Sequence, residues 1–124
     1  MITRGELRLA GFVPQQDLPL LYAGALAFAY PSIYEGFGMP LAEAMATGTP
    51  VLTSDRTSLP EVVADAGICI DPQDSEQWSK ELCRLVEDKV LREKLKQAGL
   101  ERSQAFSWKE AARITSCVYH SLVD

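Results

Sequence analysis

The chain has 124 residues, 47% of them apolar and 23% charged, the balance of an ordinary globular protein. That length suits one domain with a real core and is short for two. Seventeen acidic against twelve basic residues give a net charge of −5. This argues against nucleic acid as a main partner, because tracking a phosphate backbone takes clustered Lys and Arg. No apolar run reaches the roughly 20 residues of a membrane span. Met1-Ile2-Thr3-Arg4-Gly5-Glu6 lacks the pattern of a signal peptide, so a cytoplasmic setting is expected.

In chain order, residues 7–13 predict a strand ending at Pro14. Asp17 can cap a short helix through Leu18, Leu21 and Tyr22, with Pro19 tolerated in its first turn. Residues 26–30 are apolar throughout, which predicts a strand buried on both faces. Residues 40–47 predict a helix stopped at Gly48, residues 51–53 a strand, and residues 60–64 a short helix. Residues 68–70 predict a fourth strand, closed by Asp71-Pro72. Strands alternating with helices at this spacing predict an α/β domain: a partial Rossmann-like parallel sheet of about four strands with helices on both faces.

From Asp74 onward the pattern is helical only. Trp78, Leu82, Leu85 and Val86 share one apolar face, and Leu91, Leu95 and Ala98 another. Ser107 and Glu110 have capping-box spacing and open a last helix carrying Ala111, Ile114, Val118, Tyr119 and Leu122. Trp78, Phe106 and Trp108 are expected in the core. Cys69, Cys83 and Cys117 show no paired spacing, so neither a disulfide framework nor a zinc site is expected. His120 has no nucleophile or acid beside it in the sequence and supports no catalytic triad.

The most informative stretch runs from Pro31 to Met45. A strand ends, a loop with Gly36 and Gly38 follows, and a helix starts at Pro40. Glycines let a ligand approach the backbone, and a helix start offers unpaired N–H groups that suit an anion. Glu35 in the loop and Glu43 just inside the helix can accept hydrogen bonds from hydroxyls. Hydroxyls together with phosphate point to a nucleotide, a sugar, or both. The bare Glu-x7-Glu spacing is weak, because it recurs at Glu93 and Glu101 in a charged helical stretch. Context separates the two pairs: ligands bind parallel sheets at the C-terminal ends of strands. A first-turn Glu43 would also stabilise its helix through the dipole alone. Glu61 at a helix start reads as structural on the same ground, while Ser32 and Tyr34 either line the pocket or anchor its loop.

Pro31-Ser32, Glu35-Gly36-Phe37-Gly38, Pro40, Glu43-Ala44-Met45-Ala46 and Gly48-Thr49-Pro50-Val51 together resemble the signature of the retaining GT-B glycosyltransferases of family 4. The likeness continues through Leu59-Pro60-Glu61-Val62, Asp65-Ala66-Gly67, Asp71-Pro72 and Phe106-Ser107-Trp108. It implies that residues 1–124 are a single, incomplete C-terminal donor-binding domain of a glycosyltransferase. Glu43 matches the glutamate that accepts from the ribose hydroxyls, and Glu35 the catalytic-site glutamate that contacts the donor sugar. Gly36, Phe37, Gly38, Met39, Pro40 and Leu41 match the loop and helix start that approach the sugar and diphosphate. Val13 matches a position near the base. The resemblance implies a nucleotide-diphosphate-sugar donor, no cofactor and no metal.

It also implies what this stretch does not carry: an N-terminal acceptor domain, two strands and the basic pair that holds the diphosphate. The isolated chain is therefore expected to be inactive. The strand at 7–13 is expected to pair with residues 26–30 or with another copy, since open sheet edges drive pairing. Exposed edges or the last helix would then support a homo-oligomer, and the full enzyme would touch the inner face of a membrane peripherally. A non-catalytic nucleotide-binding or oligomerisation module on the same scaffold is the alternative reading.

Overall fold

A computed structural model describes residues 7–123. The expectation on residues 1–6 lies outside these. Helix α1 (Leu18–Gly24) leads to strand β1 (Phe28–Tyr30), helix α2 (Met39–Ala46) and strand β2 (Val51–Ser54). Helix α3 (Leu59–Val63), a 3-10 turn (Ala64–Ala66) and strand β3 (Gly67–Ile70) follow. Helices α4 (Ser75–Glu87), α5 (Lys89–Ser103) and α6 (Trp108–Ser121) complete the described chain.

The three strands form a parallel sheet in the order β1-β2-β3, with Phe28 opposite Val51 and Val51 opposite Gly67. Every residue of β2 is buried, as a central strand covered on both faces must be. One face carries Val51 with Leu41, Ala44, Met45, Leu59, Val62 and Val63 of α2 and α3. The other carries Leu52 and Ile70 under Trp78, Leu85 and Leu95 of α4 and α5. Helix α5 serves both clusters, since Ala98 packs on the first while Leu95 belongs to the second.

Two strand expectations are corrected. Residues 7–13 form no strand: Leu9 is 81% and Phe12 92% exposed, and no backbone ladder joins them to β1. The sheet among the described residues thus has three strands rather than four. Strand β1 is shorter than residues 26–30 and is not buried on both faces; Phe28 and Tyr30 are half-buried and Ala29 is exposed. Among the described residues β1 pairs with β2 alone, as an edge strand does.

Local capping follows side-chain chemistry where the geometry allows it. Asp74 and Asp88 accept from the N–H groups of Gln77 and Leu91, each at 2.9 Å. Asp17 caps α1 with its carbonyl, not its carboxylate. Ser107 accepts from the Glu110 N–H at 3.4 Å, but Glu110 pairs with Arg113 instead of reaching back, so only half of the capping box forms. Helix α2 ends in a Schellman turn: Gly48 at φ 75° donates to Met45 C=O and Thr49 to Ala44 C=O. Trp78 is buried and Phe106 half-buried, whereas Trp108 is 81% exposed and outside the core. No residue of α6 is buried.

Candidate functional site

The site grows out of the C-terminal end of β1. Buried hydroxyls of β2 fix the chain that leaves it. Thr53 Oγ1 donates to Tyr30 C=O at 3.0 Å, and Ser54 Oγ donates to Ser32 C=O. The loop then passes over the start of α3. Glu35 N–H donates to Thr57 Oγ1 at 3.2 Å, and Ser58 Oγ lies 3.1 and 3.0 Å from the Glu35 and Phe37 carbonyls, to either of which it can donate.

Gly38 caps α2 at φ 100°, a left-handed conformation that side chains disfavour. A Cβ there would stand 2.6 Å from Leu59 Cδ2, so the backbone sits directly on α3. At Gly36 a Cβ would meet nothing within 4 Å, so that side of the loop is open. Among the described residues, the N–H groups of Gly36, Phe37, Gly38 and Met39 donate to no protein acceptor. Pro40 has no N–H, and Leu41 donates to Gly38 C=O. The helix start therefore presents a short row of free donors with a positive dipole end, an arrangement that accepts an anion.

Glu35 and Glu43 are both half-buried, and each is gripped by a tyrosine. Tyr30 donates to Glu35 Oε1 at 2.5 Å, and Ser32 Oγ donates to the same oxygen at 2.8 Å. Tyr22 donates to Glu43 Oε2 at 3.4 Å. The two tyrosines flank Phe28, at 5.1 Å edge-on to Tyr22 and 5.7 Å stacked on Tyr30. The Tyr30 hydroxyl, and then that of Ser32, hold the Glu35 carboxyl below its ordinary range. The same bond, with burial and the Glu35 charge, pushes Tyr30 up to about 12. Burial first, then the Glu43 charge and hydrogen bond, raise Tyr22.

Glu35 is thus anionic and acceptor-only at neutral pH. Among the described residues no donor reaches Glu35 Oε2 or Glu43 Oε1. Each carboxylate keeps one oxygen held and one free.

The fold brings Glu35, Gly36, Phe37, Gly38, Met39, Pro40 and Leu41 into one segment, with Glu43 on the helix that follows. Glu43 stands in the second turn of α2, not the first, so the dipole explains less of its presence. Val13 is half-buried before the turn closed by Asp17 N–H on Pro14 C=O, and it shares no hydrogen bond with the two glutamates. Ser32 anchors the loop, whereas Tyr34 is exposed and anchors nothing through its ring hydroxyl. Glu61 lies exposed in the first turn of α3, where a carboxylate complements the helix dipole.

Sequence reasoning missed Tyr22, Tyr30, Thr57 and Ser58. A tyrosine in a buried-looking strand was the available signal, because its hydroxyl needs a partner. Among the described residues no group of three or more His, Cys, Asp or Glu could hold a metal. Two open hollows of about 730 and 440 Å³ lie along α4, and neither is lined by Glu35 or Glu43.

The parallel sheet with helices on both faces, and a glycine loop at the C-terminal end of β1, define an α/β domain whose candidate site lies at the strand end. The family profile for glycosyl transferases group 1 matches residues 3–102, and the chain belongs to that family. It is 46% identical over 118 residues to an O-antigen chain mannosyltransferase B of Escherichia coli, covering 95% of this chain and 31% of the relative. It is 41% identical over 113 residues to a D-inositol 3-phosphate glycosyltransferase of a Nocardioides species, covering 87% of this chain and 25% of the relative. Among solved structures it superposes on a sucrose-phosphate synthase of Thermosynechococcus elongatus with TM-score 0.84 and 32% identity, over 92% of this chain and 29% of that one. A C-terminal domain of a group 1 glycosyl transferase from Francisella tularensis matches with TM-score 0.68 and 31% identity, over 77% of this chain and 50% of that one. The chain spans about a third or less of the curated relatives it matches.

Proposed function

We propose that this chain is the donor-binding part of a retaining glycosyltransferase that takes a nucleoside-diphosphate sugar. The carrying observation is the pair of half-held carboxylates beside a row of free N–H groups. The free oxygen of Glu43 accepts from the ribose hydroxyls, and that of Glu35 from the sugar hydroxyls. The N–H groups of Gly36, Phe37, Gly38 and Met39 face the diphosphate. As the bond to the sugar breaks, charge grows on the leaving diphosphate, and fixed donors stabilise it without reorganising. Glu35 acts as an oriented anion, since its tyrosine and serine partners keep it ionised. The mannosyltransferase relative favours a mannosyl group as the one transferred. A second domain supplies the acceptor side and the opposing cations, so the chain alone binds donor without turning it over.

Calorimetric titration with UDP, GDP and ADP tests this reading. One of the three should bind, and Glu43→Ala should abolish that binding while leaving the unfolding transition in place. Failure of all three to bind at millimolar concentration would overturn it.

A further inference from the structure

The loop that carries the free N–H groups has one bulky side chain between Glu35 and Met39, namely Phe37. Its ring meets Phe106 edge-on, with centroids 5.5 Å apart and planes at 89°. Phe106 lies far along the chain, in the connection between α5 and α6, where its N–H donates to Ser103 C=O at 3.0 Å. The Arg102 guanidinium sits 5.0 Å from the centre of the Phe106 ring. That same guanidinium donates to Val62 C=O at 3.0 Å and Glu61 C=O at 2.7 Å, in α3. Helix α3 is the element on which Gly38 rests through Leu59.

The polar anchors of the loop act on Glu35 N–H and on two carbonyls, and none of them touches the Phe37 ring. Phe37 is 40% exposed, and Phe106 is its one aromatic partner among the described residues. Phe106 gives the side chain between the two glycines an aromatic hold that the backbone hydrogen bonds do not supply. A short run with free N–H groups must be fixed before binding if those groups are to meet an anion at low entropic cost.

We infer that Phe106, braced by Arg102, is a positioning residue that clamps Phe37 and fixes the direction of the donor N–H groups of the glycine loop. It ties the α5–α6 junction to the site, so whatever displaces that junction loosens the loop. The binding consequence rests on the proposed function; the clamp itself does not.

The test is backbone amide relaxation by NMR on Phe106→Ala, Phe106→Leu and Phe106→Tyr, with nucleotide titration in parallel. Order parameters at Gly36, Phe37 and Gly38 should drop from the rigid range near 0.85 towards about 0.6 in Phe106→Ala, while β2 amides stay unchanged. An edge-on aromatic contact is worth about a threefold to tenfold change, so the dissociation constant of the bound nucleoside diphosphate should rise by that factor. Phe106→Tyr should restore both readouts. Phe106→Leu, which keeps apolar bulk and secures a folded comparison, should restore neither fully. Equal loosening of loop and β2, or an unchanged loop, would overturn the clamp. A loosened loop in a protein that binds no nucleotide would uphold the clamp and sink the functional reading instead.

Discussion

Replacing Gly38 by alanine puts a methyl group where the backbone conformation and the neighbouring side chain both oppose it. The residue sits at φ 100° and ψ 47°. A left-handed conformation costs a non-glycine residue roughly 1–2 kcal/mol. The added Cβ would stand 2.6 Å from Leu59 Cδ2 and 3.5 Å from Leu41 Cδ1, both side chains fully buried in the core. Neither neighbour has free space, and overpacking of this kind costs about 1–3 kcal/mol. The two terms together predict a loss of about 2–5 kcal/mol. Gly36→Ala is the matched control: its Cβ meets nothing within 4 Å and its φ is not positive. A surface change of that type stays within about 0.5 kcal/mol, or stabilises slightly by restricting the unfolded chain. Urea unfolding of the three proteins, followed by far-UV dichroism, gives both numbers from midpoints at a common slope. If Gly38→Ala loses less than about 0.5 kcal/mol, or Gly36→Ala loses as much as Gly38→Ala, the steric account of this loop is wrong.

Tyr30→Phe should move the Glu35 carboxyl upward towards its ordinary range, with Ser32 still holding part of the shift, as read by carboxyl carbon NMR titration. Because the folded pKa of Glu35 is lowered, its contribution to stability is present above the unfolded value near 4.5 and fades as pH falls through the folded one; the variant should show a shallower acid limb. Tyr30 is the opposite case: raised from 10.0 to about 12, it contributes stability that is present below 10 and lost as pH climbs through 12. Gly99→Ala should raise the midpoint of thermal unfolding, since its Cβ would stand 3.4–3.6 Å from Met45 inside helix α5. Removing a mid-helix glycine is worth up to about 1 kcal/mol, and a fall in that midpoint would mean that Met45 cannot accommodate the methyl.

The sequence made helix positions legible because their signals are local. Asp74, Asp88, Pro40 and Gly48 act within one turn of where they stand; α2 appears within one residue of the expected 40–47, and the apolar residues expected on two later helices fall within α4 and α5. Strands are different. Residues 7–13 and 26–30 both carry apolar runs, yet only the second contributes a strand, because a strand exists by pairing. Phe28 finds Val51 across the ladder and Tyr30 finds Thr53. Leu7, Leu9 and Phe12 find no such partner among the described residues and stand exposed. Composition cannot distinguish these outcomes. Trp108 failed similarly: its aromatic bulk suggests a core, but helix α6 has no buried residue to join it to.

The two Glu-x7-Glu pairs show what made one site legible and left its mechanism hidden. Glu93 and Glu101 lie exposed on α5, and Glu101 accepts only from the exposed amide of Gln97 four residues away. Among the described residues neither accepts a side-chain hydrogen bond from another element. Glu35 and Glu43 instead receive hydroxyls from other elements: Tyr30 from β1 and Tyr22 from α1, 21 residues before Glu43. No spacing rule predicts those meetings, which depend on β1 lying against Val51 and on Thr49 donating to Tyr22 C=O at 2.6 Å. The consequence is chemical. A solvated glutamate samples many rotamers and offers a ligand no fixed direction. A glutamate with one oxygen held presents the other along a defined line, so hydroxyl recognition loses less entropy on binding. The tyrosines, more than the carboxylate spacing, are what set this pair apart from Glu93 and Glu101 as a candidate site.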